Sequence, residues 1–122
     1  MTGQEALDGL AEALDGHPFV TLDALLDEVR RGEAAIWMGE NAAVFWRPSG
    51  QVVECGPATG DLQEILAVFR PAIEAWAKDH GFTEIHIQAG RQGWARVLRS
   101  YGYQEAAVIL RKHLDGPQLR QN

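Results

Sequence analysis

Cysteine, histidine clusters and long apolar runs are scarce in this sequence, and each scarcity excludes a class of protein. The 122 residues include one cysteine, Cys55, which excludes a disulfide within the chain. The 4 histidines are scattered without the spacing of metal ligands, so neither a structural zinc site nor another metal site is expected. No apolar run approaches the roughly 20 residues of a membrane-spanning helix, so no membrane partner is expected either.

The N-terminal stretch also lacks the basic start and the apolar segment of a signal peptide, because acidic residues fall within it. We therefore expect a cytoplasmic protein. Apolar residues make up 46% of the chain and charged residues 23%, which is typical of one globular domain. We expect this domain to span residues 1–114, with residues 1–19 as a helical extension, and residues 115–122 to form a flexible tail.

The charge is negative overall but unevenly distributed. The net charge is −6, yet residues 1–33 carry eight acids and two arginines, whereas residues 86–122 carry six bases and two acids. Such asymmetry is typical of self-association, of a charged partner, or of two attracting faces of one domain. Nucleic-acid binding is not expected, because the chain is acidic and its basic residues lack interleaved aromatics in a recognisable module.

The spacing of apolar residues predicts the order of helices and strands. Helices are expected at residues 4–15, 22–31, 62–80 and 91–101, and strands at residues 35–38, 42–46, 51–55, 83–88 and 103–113. The long helix between residues 51–55 and 83–88 is a crossover that makes these two strands parallel neighbours. The predicted fold class is α+β, an α/β three-layer arrangement. Helices flank a mixed, mostly antiparallel sheet with one parallel strand pair.

The turn between residues 51–55 and the long helix is the main candidate for a functional site. A strand, a glycine-containing turn and a helix direct free amide N–H groups to one point, which suits a phosphate. Here Asp61 is the predicted N-cap, and Glu64 completes a predicted capping box. These two carboxylates would repel an anion at the helix terminus. Further along, Pro71 is expected to kink or locally loosen the helix near its midpoint, because it removes a hydrogen bond.

Two sets of residues resemble the GNAT superfamily, the acetyl-CoA-dependent N-acetyltransferases, over about residues 20–114. Residues 81–87 followed by residues 94–103, which end in Tyr-Gly-Tyr, are similar to the superfamily's strand, short helix and G-F/Y ending. Residues 60–62, residues 76–77 and residues 90–94, Gly-Arg-Gln-Gly-Trp, together resemble short GNAT-like proteins encoded in phage and prophage genomes, commonly near head genes. The resemblance implies a GNAT-like fold.

The resemblance also implies a site for the pyrophosphate of acetyl-CoA, marked in the superfamily by the pattern Q/R-x-x-G-x-G/A. This chain matches the pattern in neither register. If Gly60 is taken as the last glycine of the pattern, Ala58 stands in the place of the first glycine and Cys55 in the place of the Gln or Arg. If Gly60 is taken as the first glycine, Leu62 stands in the place of the last glycine and Pro57 in the place of the Gln or Arg. The acetyl-CoA loop is therefore degraded relative to the superfamily pattern.

For catalysis, the resemblance directs attention to Glu54 and His86 as candidate general bases on the two parallel strands. Each is also explained as a polar residue on an alternating strand. Leu98 stands where the superfamily often has a tyrosine that protonates the leaving thiolate, so this acid is missing.

A protein-binding surface would use arginine and tryptophan, which contribute strongly to protein contacts. The candidate cofactor-binding residues are Gly56, Thr59, Gly60 and Arg91, and the candidate interface residues are Trp46, Arg91, Arg96 and Arg99.

Two functions follow from the sequence. The first is a non-catalytic binding or structural component, of the kind that a phage uses in its virion or in head-tail assembly. It would bind a protein partner or a second copy, need no cofactor, and lie in the host cytoplasm or in a virion. The alternative is an acetyl-CoA-dependent N-acetyltransferase that acts on a small amine or a protein amino group, and this reaction needs no side-chain nucleophile. The acidic helix terminus favours the first.

Overall fold

The computed structural model describes residues 1–17, 20–88, 92–108 and 110–114, with only the backbone of Gln92. The chain forms two compact units, one up to Gln88 and one from Ala89 onward. Arg91 and the predicted tail at residues 115–122 lie outside the described residues.

The first unit contains most of the predicted elements in the predicted order. The helices are α1 (Gly3–Ala13), α2 (Leu22–Arg30), α3 (Leu62–Glu64), a π-helix (Ile65–Phe69) and α4 (Arg70–Asp79), and the strands are β1 (Ala35–Met38), β2 (Ala42–Ser49), β3 (Val52–Gly60) and β4 (Glu84–Ile87). β2 and β3 are longer than predicted. Helix α1 begins at a capping box that the sequence analysis missed, in which Thr2 and Glu5 each accept a hydrogen bond from the other's backbone N–H.

The four strands form one mixed sheet in the order β1-β2-β3-β4. β1 and β3 pair with β2 in antiparallel fashion, whereas β4 runs parallel to β3, from Val52 opposite Glu84 to Cys55 opposite Ile87. The predicted parallel pair is therefore confirmed. So is the predicted fold class, a mixed α+β sheet with one parallel pair and flanking helices.

The sheet buries side chains on both faces, and β2 supplies both cores. Its alternation places Val44 and Trp46 on one face and Phe45 on the other. On the first face, β2 and β3 pack against the π-helix and α4, in a cluster of Ala42, Val44, Trp46, Val53, Phe69, Ile73 and Ala77. On the second face, Phe45 packs with Leu14 and with Leu25 of α2. The result is the predicted three-layer arrangement.

The long helix is continuous from Leu62 to Asp79, but its turn before Pro71 is a π-helix. In this turn Arg70 donates its backbone N–H to the Ile65 carbonyl, five residues back. Pro71 has no N–H and so cannot donate to Leu66. The Arg70 side chain does so instead, with Nε 3.0 Å from the Leu66 carbonyl oxygen. The predicted disturbance is present, but it is a widened turn with a substitute donor.

The described residues of the second unit include one helix, α5 (Gln92–Arg99), which confirms the predicted short helix. It ends two residues earlier than predicted. The predicted last strand is wrong for the part of residues 103–113 that the structure describes, since none of those residues belongs to a strand. Apolar, strand-like side chains do not make a strand without a partner for the backbone, and here no ladder forms.

Candidate functional site

The candidate site is the junction between β3 and the long helix. β3 runs in register with β2 up to Gly60, opposite Ala42, and α3 begins at Leu62, so one residue connects the strand to the helix. Gly60 has a φ of +100°, and a Cβ atom there would lie 2.1 Å from the carbonyl oxygen of Asn41. Only glycine fits this position, because β2 approaches the junction so closely.

Three amide N–H groups at and just after the junction have acceptors within the chain. Asp61 N donates to the Asn41 carbonyl oxygen at 2.8 Å, and Ile65 N donates to the Asp61 carbonyl oxygen at 3.1 Å. Gln63 N donates to the Asp61 carboxylate at 3.3 Å, so Asp61 is the helix N-cap, as predicted.

Glu64 does not complete the predicted capping box. Its carboxylate accepts a hydrogen bond from Asn41 N, at 3.1 Å, in the turn between β1 and β2. This turn is tightly packed against Glu64, since a Cβ atom on Gly39 would lie 2.6 Å from Glu64 Oε2. Both carboxylates lie at the helix terminus, as predicted. However, Glu64 binds the neighbouring β1–β2 hairpin, and the Asp61 N–H donates to the Asn41 carbonyl oxygen and not to Glu64.

The junction is where the sequence resemblance implies a site for the diphosphate of a nucleotide cofactor. Free N–H groups hold a diphosphate, and Asp61 N and Gln63 N at this point have acceptors within the chain. The two carboxylates at the same terminus add negative charge where the anion would have to come. Gly60, a predicted cofactor-binding residue, is also the point where the junction contacts the start of β2.

Gly56 and Thr59, the other described candidates for cofactor binding, lie on a bulged part of β3. The register with β2 shifts opposite Phe45, where Gly56 and Pro57 face a single residue of β2 and Gly56 has a φ of +115°. Thr59 faces α1, because a Cβ atom on Gly9 would lie 2.2 Å from the Thr59 hydroxyl oxygen. Both residues are thus parts of the strand and its packing with α1.

A row of polar side chains crosses the face of the sheet that α2 covers. Arg47, Glu54 and His86 are register partners on β2, β3 and β4. Arg47 binds the Glu54 carboxylate at 2.9 Å and the Glu28 carboxylate of α2 at 2.9 Å. These hydrogen bonds, first with Glu54 and then with Glu28, raise the pKa of the Arg47 guanidinium. The two candidate general bases are therefore neighbours on one face of the sheet.

Each candidate base already has a polar partner. Glu54 is bound to Arg47, and His86 Nε2 lies 2.8 Å from the Glu84 carboxylate, with both of the latter side chains exposed. Sequence reasoning missed Arg47 and Glu28. Arg47 could have been found from the sequence, because it is a charged residue in a predicted apolar strand, and a short turn connects this strand to the strand that holds Glu54.

Trp46 is a core residue, not an interface residue as predicted. It is 6% exposed and packs against Trp37 and Trp76, with ring centroids 5.3 and 4.5 Å away. Its indole N–H has no hydrogen-bond acceptor among the described residues. The alternation of β2 required this placement, since Val44 and Trp46 share one face.

The remaining candidates belong to the second unit. Arg96 and Arg99 lie in the last turn of α5, where their charge suits the helix dipole. Arg91 lies outside the described residues. Within residues 1–17, 20–88, 92–108 and 110–114, no group of histidine, cysteine and acidic side chains could hold a metal ion, and no helix is long and apolar enough to cross a membrane.

Comparison with solved structures identifies the fold. The chain is similar to TTHA1254 of Thermus thermophilus, at 22% identity over 94% of this chain and 95% of that one, with TM-scores of 0.57 for the wild type and 0.59 for a mutant. It is also similar to a Trypanosoma brucei acetyltransferase, at 12% identity over 88% of this chain and 89% of that one, with a TM-score of 0.59.

No family model and no curated protein matches the sequence. At these identities the structural similarity establishes a fold shared with an acetyltransferase, in agreement with the GNAT-like fold that the sequence resembles.

Proposed function

We propose that this chain is a GNAT-like-fold protein that acts by binding other macromolecules and does not transfer acetyl groups. The observation that carries the proposal is the junction at Asp61. Asp61 N and Gln63 N have acceptors within the chain, and Asp61 and Glu64 place two carboxylates at the terminus where an acetyl-CoA diphosphate would have to lie.

The repulsion between these two carboxylates and a diphosphate is large enough to reduce the affinity for a weakly bound ligand. A carboxylate near a helix N-terminus and close to an approaching anion opposes binding by about 1 kcal/mol at an exposed site. Two such groups would weaken binding by roughly thirtyfold, before the cost of breaking the hydrogen bonds of Asp61 N and Gln63 N.

The test is calorimetric titration of the protein with acetyl-CoA. We expect no saturable binding below about millimolar concentration. The variant Asp61→Asn with Glu64→Gln should gain affinity, because it removes both charges and keeps polar side chains that can hydrogen-bond. Asp79→Asn is the matched control, since it removes an acid at the opposite end of the same helix and should change nothing. Micromolar binding by the unaltered protein would overturn the proposal.

We further propose which kind of macromolecule the protein binds. A place in a phage virion or in head-tail assembly, in the host cytoplasm or in the particle, rests on the sequence resemblance of residues 60–62, 76–77 and 90–94 to phage-encoded proteins. Mass spectrometry of proteins captured by the tagged full chain in its producing cell would test it, and recovery of head or tail proteins is the expected result.

A second candidate function is an N-acetyltransferase acting on a small amine or a protein amino group. The observation in its favour is that Glu54 and His86 lie side by side on β3 and β4, where either could accept a proton from an amine. Thiol release from acetyl-CoA in the presence of an amine, abolished by His86→Ala or Glu54→Gln, would establish this function in place of the first.

A further inference from the structure

We draw no further inference here: the strongest candidate, the exposed side of the long helix around Ala67, Val68, Ala72 and Ala75, is a surface of mostly small apolar residues, and nothing in the structure shows what covers it.

Discussion

Cys55 lies on β3 at the last position where β3 pairs with β4, and its side chain packs against the core on the α4 side of the sheet. Burial, followed by the nearby carboxylate of Glu74, raises the pKa of the Cys55 thiol from 9.0 to about 12. The thiol therefore stays protonated, and it serves as an apolar core group in place of the Gln or Arg of the superfamily pattern.

This raised pKa predicts a fall in stability at alkaline pH. Above pH 9.0 the unfolded chain loses the thiol proton, whereas the folded chain keeps it up to a pKa of about 12. The free energy of unfolding should therefore decrease as pH rises through this window, with a slope of at most about 1.4 kcal/mol per pH unit for one proton. Urea unfolding of the protein and of Cys55→Ala, at several values from about pH 8 to about pH 10.5, measures it.

The difference between the two proteins isolates the thiol, because lysines and tyrosines titrate in both. Cys55→Ala should be less stable near neutral pH and should lose less stability as the pH rises. Two curves that stay parallel up to about pH 10.5 would contradict the prediction.

At the scale of single residues, contacts between residues close in sequence could be predicted, whereas contacts between residues distant in sequence could not. Asp61 was recognised as an N-cap because its partner is two residues away. Glu64 was assigned to the same cap, but it binds Asn41, 23 residues away in sequence. Nothing in the residues around Glu64 indicates that the β1–β2 turn approaches it. Contacts of this kind depend on tertiary structure and cannot be derived from spacing.

At the scale of elements, Arg47 joins three of them. It lies on β2 and binds Glu54 on β3 and Glu28 on α2, so it fixes α2 to the polar part of the sheet face. Arg47 is 38% exposed and Glu28 is 18% exposed. Because Glu28 is mostly withdrawn from water, its carboxylate depends on Arg47 more than a surface acid would.

Arg47→Met should therefore destabilise the fold by about 1–2 kcal/mol, since it keeps most of the side-chain volume and leaves the Glu28 carboxylate unpaired. Arg31→Met is the matched control. Arg31 also pairs with two acids, Asp27 and Glu33, but all three side chains are exposed, so the change should leave the free energy of unfolding nearly unaltered. Urea unfolding of both variants measures the difference. Equal effects would show that Arg47 is an ordinary surface ion pair.

The long helix shows where element prediction from sequence reaches its limit. Apolar spacing gave its length, and Pro71 indicated a disturbance. The form of the disturbance, a π-helical turn in which Arg70 Nε donates to the Leu66 carbonyl, depends on a side chain replacing a backbone donor. Several local solutions satisfy the carbonyls before a proline, and the packing of Leu66 and Phe69 into the core selects among them.

At the scale of the whole molecule, the rules for connections between strands predicted the sheet topology better than the apolar character of single strands did. A strand, a long helix and a strand must form a parallel pair, and β3 and β4 do so. The fifth strand is predicted from side chains alone, and residues 103–108 and 110–113 lie in no strand. A strand at a sheet edge needs a partner backbone, and whether one is present is not encoded in the strand's own sequence.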